Sequence, residues 1–336
     1  MSDAQTETVE TTRGDRSEIE RLLDDAVNGN RVALARLLSA IERRGPNCKE
    51  IAHVTYRTPL SYSVGITGAP GAGKSTLTDR LLSVARRGWG EDDPIDRLAV
   101  LAVDPSSPFS GGAILGDRVR MQSHATDPAI FIRSMATRGH LGGLALAVPD
   151  ALRLLGAVGM PVVLVETVGV GQMEVEIASA ADTTVVVVTP GWGDSMQANK
   201  AGLLEVADLF VINKADRAGV REARRDLEQM LDLSGSSEWR PPIVETVASA
   251  GDGVDELWTQ VSLHRSYLAN SGLLVSKRAD RMDLELRRVI SVRISEVVDE
   301  IVAGSRYMSL VAAMLSGELD PYEAADRLID ENRTRL

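Results

Sequence analysis

The spacing of apolar residues changes period twice along the chain. Ile19, Leu22, Leu23 and Ala26 share one helical face, and Ser17 with Glu20 has capping-box spacing. Asn28-Gly29-Asn30 breaks this run. A second run through Val32, Leu34, Leu37, Leu38 and Ile41 ends at Gly45-Pro46, which predicts a helical hairpin. Short apolar runs of strand length follow: Tyr62 to Thr67, Leu98 to Val103, Ala129 to Met135, Pro161 to Glu166, Thr183 to Thr189, Leu209 to Asn213 and Ile243 to Ala248. Helix-length segments separate them. Alternating strand and helix over about 200 residues predicts an α/β fold, a mostly parallel sheet flanked by helices. Beyond about residue 264 the strands stop. Met282, Leu286, Val289, Ile290, Val297, Val298 and Ile301 return to helical spacing, Gly304 interrupts them, and Asp320-Pro321 opens a last helix. The expected organisation is a disordered tail over 1–16, a helical extension over 17–60, an α/β domain over 61–263 and a helical arm over 264–336.

Composition narrows the function more than the fold. A net charge of −11 argues against nucleic acid or an anionic membrane as partner, since both select a positive field. No run approaches the roughly 18 apolar residues of a membrane span, and the opening residues lack a leader's apolar core. The single cysteine, Cys48, excludes an internal disulfide and suits a reducing cytoplasm. Of 37 basic residues only Lys49, Lys74, Lys200, Lys214 and Lys277 are lysine. In a chain that otherwise uses arginine, each position that stays lysine prompts a question about chemistry, and for Lys49 and Lys277 the sequence supplies no answer.

The first strand runs into Gly68-Ala69-Pro70-Gly71-Ala72-Gly73-Lys74-Ser75-Thr76, which fits G-x-x-x-x-G-K-[ST] with a helix expected from near Leu77. Glycines let backbone N–H groups wrap a phosphate chain, and the helix N-terminus adds a favourable dipole. Lys74 is placed to reach the β and γ phosphates, and Ser75 to give its hydroxyl to Mg²⁺. Asn213-Lys214-Ala215-Asp216, at the end of a later strand, has the N-K-x-D pattern of guanine-binding proteins. Asp216 can accept from guanine N1–H and the exocyclic amine, a pairing that adenine cannot make. Lys214 would lay its stem along the base, and Asn213 would tie this loop to the P-loop. Ala248-Ser249-Ala250 would offer a backbone N–H to guanine O6.

Two further strand ends carry acids. Asp104 ends one, followed by a glycine-rich stretch to Asp117, and Glu166 opens Glu166-Thr167-Val168-Gly169-Val170-Gly171-Gln172. A GTPase needs such groups near Mg²⁺ and a segment that senses the γ-phosphate. Lys74, Asp104 and Glu166 are therefore the candidate catalytic residues, and Ser75, Asp104, Asp117 and Glu166 the candidate metal-site residues. Gln172 lies three residues after Gly169, so its equivalence to a water-orienting glutamine does not follow from spacing.

GITGAPGAGKST, LAVDPSS with GGAILGDRVRM, VETVGVGQ, and PGWGDSMQANKAG leading into VINKAD together resemble the MeaB/ArgK family, relatives of the methylmalonic aciduria type A protein. The likeness spans about residues 20 to 330. It implies a homodimeric P-loop GTPase of the signal-recognition-particle-like class, with GTP/GDP and Mg²⁺ bound. It also implies a chaperone role: gating adenosylcobalamin loading of methylmalonyl-CoA mutase, or a related mutase, and protecting that enzyme. On the same likeness Asp104 and Asp117 belong to a first switch and Glu166 to a second, while Gln197 and Lys200 belong to a third that reports to the mutase. The terminal helices would be the N-terminal extension and the dimerisation arm. Trp192, Ser195 and Met196 depart from the family's commoner G-A-G-D-E-L-Q, which puts the partner contacts in question. With no arginine or glutamine clearly aimed at the γ-phosphate, intrinsic hydrolysis is expected at about 10⁻³ per second or less, accelerated by the partner. Two alternatives are a kinase or ATPase linked to lysine/arginine/ornithine transport, and a metal-insertion GTPase. The second needs soft ligands, and Cys48, His53, His124, His140 and His264 are poorly clustered.

Overall fold

The computed structural model describes residues 18–43, 47–90, 94–104, 121, 124, 126–136, 143–167, 180–192, 206–233 and 238–333, with backbone alone at 104, 136 and 143–146. Seven parallel strands form one sheet: β1 (Tyr62–Gly68), β2 (Leu98–Asp104), β3 (Ile130–Ala136), β4 (Val162–Thr167), β5 (Thr183–Val188), β6 (Leu209–Asn213) and β7 (Ile243–Thr246), in the order β3-β2-β4-β1-β5-β6-β7. β1, β4, β5 and β6 are buried along their whole length, which explains near-continuous runs such as Thr183-Thr184-Val185-Val186-Val187-Val188.

Alternate residues feed different layers. Ala99, Leu101 and Val103 of β2 join one apolar cluster with the N-terminal helices, while Leu98 and Val100 join another with the helices after β1 and β7. The N-terminal helices are α1 (18–27), α2 (Arg31–Arg43) and α3 (Asn47–Thr55), and they pack with α5 (Gly143–Ala157). The second layer holds α4 (Lys74–Ala85) and α7 (Val254–Asn270), while α6 (Val220–Leu233) covers β5 and β6. Arg133 of β3 pairs with Glu42 at 2.9 Å, and Arg31 donates to the carbonyls of Asp127 and Ile130, so the edge strand is tied to α2.

Within the 17–60 extension a third helix, α3, joins the expected hairpin and buries Ile51 and Thr55. One local reading changes. The helix after the P-loop starts at Lys74, three residues before Leu77, because Gly73 at φ +93° turns the chain directly into it. Ser17 and the tail over 1–16 lie outside the described residues.

The chain forms two compact units, residues 1–278 and 279–336. α8 (Leu273–Val302) runs from one into the other and buries none of its residues. In the second unit α9 (Ser305–Leu315) packs with α10 (Pro321–Glu331), and Arg306 pairs with Glu331 at 2.6 Å. Asp320 caps α10 by accepting from the amides of Tyr322 and Glu323, with Pro321 in the first turn. Among the described residues no helix is long and apolar enough to cross a membrane.

Candidate functional site

The first strand of the chain lies mid-sheet, with β4 on one side and β5 on the other. Its carboxyl end is therefore the switch point where parallel sheets bind ligands. Gly68 has φ +141°, and a Cβ there would sit 2.0 Å from the Val187 carbonyl oxygen, so only glycine lets the chain leave β1 against β5. The ammonium of the buried Lys74 folds back onto the carbonyls of Gly68 and Ala69, the second at 3.0 Å. Its charge is thus held over the loop.

Ser75 Oγ donates to Glu166 Oε1 at 2.6 Å across 91 residues of sequence. The contact follows from register: β1 and β4 are neighbours, Ile66 lies opposite Glu166, and the Thr67 and Thr167 hydroxyls are 3.2 Å apart. Glu166 is 1% exposed. This group of hydroxyl and carboxylate oxygens is a hard-donor set of the kind Mg²⁺ prefers. Asp104 is the last residue of β2, two positions beyond the residue paired with Glu166, so its backbone reaches the same end of the sheet. The Asp104 side chain, and the whole of Asp117, Gly169, Gln172, Ser195, Met196, Gln197 and Lys200, lie outside the described residues.

Three loops meet at Asn213. Its Nδ2 donates to the Ala72 carbonyl at 2.8 Å, and its Oδ1 accepts from Thr246 Oγ1 and the Ala248 amide, each at 3.1 Å. The side chain is 2% exposed, so all of these bonds are sheltered from water. Lys214 is the one non-glycine residue with positive φ among the described residues, at +61°, and its ammonium donates to the Gly71 carbonyl at 2.7 Å. Asp216 is exposed at the rim, open to the edge of a planar base. In the third loop the Ala248 amide is taken by Asn213 and the Ala250 amide by the Val247 carbonyl, while Arg80 donates to the carbonyls of Ala248 and Ser249. Among these described amides, that of Ser249 makes no hydrogen bond.

Trp192, one of the departures from the family pattern, is 5% exposed within the cluster of β5, β6 and α6. It fills core. Sequence reading also missed a polar group at the opposite ends of β5 and β6. Lys277 donates to Asp208 and to the Asp182 carbonyl, and Arg278 pairs with the buried Asp182 at 2.7 Å. His264 sits between Thr183, 2.8 Å from Nδ1, and Asp208, 3.4 Å from Nε2. Burial holds its pKa down at about 4, against the opposing pull of Asp208, and pushes the Tyr62 phenol up. The partners lie 56 to 96 residues apart in sequence. No local pattern signals them.

The family described as methylmalonyl-CoA mutase-associated GTPase MeaB matches residues 34–303. A relative from Pyrococcus abyssi, described as a GTPase, is 46% identical over 318 residues, covering 93% of this chain and 96% of that one. The mitochondrial methylmalonic aciduria type A homolog of Mus musculus is 33% identical over 338 residues, 94% of this chain and 80% of that one. A solved structure, that of an LAO/AO transport system kinase, superposes with a TM-score of 0.67 at 27% identity, covering 94% of this chain and 98% of that one. A P-loop at the sheet's switch point, a base loop tied to it through Asn213 and a family match over most of the length converge: the chain belongs to the MeaB family, binds guanine nucleotide and is a GTPase.

Proposed function

We propose that the chain is a nucleotide-operated chaperone of an adenosylcobalamin-dependent acyl-CoA mutase, with methylmalonyl-CoA mutase as the first candidate, and that it gates cofactor loading and protects the loaded enzyme. The observation that carries this reading is the match over residues 34–303 to a family described by its association with that mutase. Mouse methylmalonic aciduria type A homolog supports it.

In this reading the Gly68–Thr76 backbone cradles the phosphates and Lys74 moves from the Gly68 and Ala69 carbonyls onto the β and γ oxygens. Ser75 and Glu166 would hold Mg²⁺, with Asp104 and Asp117 completing the acidic group; the 2.6 Å contact between Ser75 and Glu166 supports this reading. The metal supplies charge neutralisation on the phosphates. The oxygen of a water forms a bond to the γ phosphorus as the bond to the bridging oxygen breaks, that oxygen leaving with GDP and the water's proton passing to the released phosphate. Asp216 takes the guanine N1–H and amine, Lys214 lies along the base and the Ser249 amide meets O6. Hydrolysis is slow until the mutase binds.

The apolar residues Met282, Leu286, Val289, Ile290, Ile294, Val298 and Val302 of α8 are exposed at helical spacing. In this reading residues 264–336 serve as a homodimerisation arm, and a second copy covers this stripe. The cytoplasm is the proposed site of action.

The test is gel filtration of the chain with the mutase, with GDP and with a non-hydrolysable GTP analogue. A complex whose stability differs between the two states is expected; no complex in either state contradicts the proposal. The name of the solved transport-system kinase favours a second reading, phosphate transfer to a transport protein. Asp216→Ala separates them, since a kinase without guanine preference keeps its activity in that variant.

A further inference from the structure

A second pocket opens at the opposite end of the sheet, where β1 begins. It holds about 560 Å³ and lies under Tyr62 and Pro161, between the turn before β1 and the start of α8. β1 spans about 20 Å from Tyr62 to Gly68, so the pocket is separate from the P-loop.

Its chemistry is specific. Arg265 lies over the Trp89 ring, with its guanidinium carbon 4.4 Å from the ring centre, and Trp89 is backed by Trp258 at 4.8 Å. Stacking uses the face of a guanidinium and leaves its N–H groups free in the plane. Among the described residues no carboxylate or carbonyl takes them. Arg97 uses one nitrogen on the Val158 carbonyl at 2.7 Å and has no carboxylate partner either. The third guanidinium, Arg278, is neutralised by Asp182, and Asp96 stands exposed at the rim. Among the described lining residues, two cations without a carboxylate partner and one acid without a cation leave an excess of a single positive charge. That favours a singly charged head group over a phosphate dianion, and a planar one that matches the guanidinium fork. Most of the other lining is apolar, with Leu60, Pro94 and Leu274 among it, alongside Ser61 and Tyr62. A volume of this size holds a small molecule.

We propose that this pocket binds a small monocarboxylate, its head taken by the free N–H groups of Arg265 and Arg97 and its apolar body laid against Leu60, Pro94 and Leu274. The site is independent of the nucleotide reading. Asp96 opposes the bound charge and tunes the affinity.

The experiment is isothermal titration calorimetry of hexanoate into the full chain, with and without GDP. One saturable site is expected under both conditions, weakened about tenfold or more for 1-hexanol and for acetate, which lack the head or the body. Inorganic phosphate should fail to displace hexanoate. Arg265→Gln should weaken binding about tenfold or more while GDP affinity stays unchanged. Asp96→Asn should tighten it several-fold, a gain that misfolding cannot mimic. Absence of saturable binding, equal binding by Arg265→Gln, weaker binding by Asp96→Asn or displacement by phosphate would each overturn the proposal.

Discussion

Asn213 shows how much one side chain can decide. It holds a carbonyl of the P-loop, a hydroxyl of β7 and an amide of the third loop through one buried carboxamide. Asn213→Ala leaves those groups unpaired and should cost about 2–4 kcal/mol of stability. Denaturant melts should show it, with GTP affinity falling as well; equal stability would mean that the three loops hold one another by other contacts. Asp216 acts differently, because it is exposed and supports nothing in the fold. Asp216→Ala should leave the melting curve in place and lower GTP affinity about 100-fold while leaving ATP affinity alone, as read by competition binding. His264 sets a third expectation. Its pKa falls from 6.5 unfolded to about 4 folded, so the unfolded chain binds the proton more readily. The contribution is complete above pH 6.5 and is lost as pH drops toward 4, by about 3 kcal/mol. His264→Gln should flatten the stability profile across that window and leave it unchanged near pH 8.

At the scale of elements, the P-loop is the joint where strand, loop and helix depend on one glycine each. A Cβ on Gly73 would lie 2.4 Å from Asn213 Nδ2 at a φ of +93°. Gly73→Ala is therefore expected to lower nucleotide affinity by more than about tenfold, measured by fluorescent-nucleotide titration, because it disturbs the carboxamide that joins the loops. Unchanged affinity would show that the carboxamide can shift at no cost. These elements were largely legible in the sequence because their signals are local. Apolar runs mark the central strands to within about a residue, as with Leu98 to Val103 against β2, and the phosphate and base motifs sit at strand ends where a parallel sheet gathers them. What could not be read depends on distance. α3 carries few apolar residues and follows a proline that reads as a stop. Lys277 had no local explanation until the fold set it beside Asp208. The choice of Ser249 over its neighbours as amide donor needed the loop's own hydrogen bonds.

For the whole molecule, the polar group around Asp182 and Asp208 has a position worth noting. Both acids immediately precede strands, β5 and β6, whose far ends approach the nucleotide site, and both are held by the opening turns of α8. The start of α8, the helix that continues into residues 279–336, is thereby anchored to the sheet through charge, beside the packing of Leu274 against the core. If that arm joins two copies, Ile290→Glu placed in its exposed stripe should shift the chain toward monomer in sedimentation velocity, with GTP affinity retained. A dimer unaffected by the charge would place the interface elsewhere.

The central claim is that GTP turnover on this site serves a mutase, and it is tested most directly by measuring GTP hydrolysis while methylmalonyl-CoA mutase is titrated in. The account predicts slow turnover alone, about 10⁻³ per second or less, and a saturable rise of about tenfold or more that is lost in Lys74→Ala. A rate that stays flat at saturating mutase would contradict it.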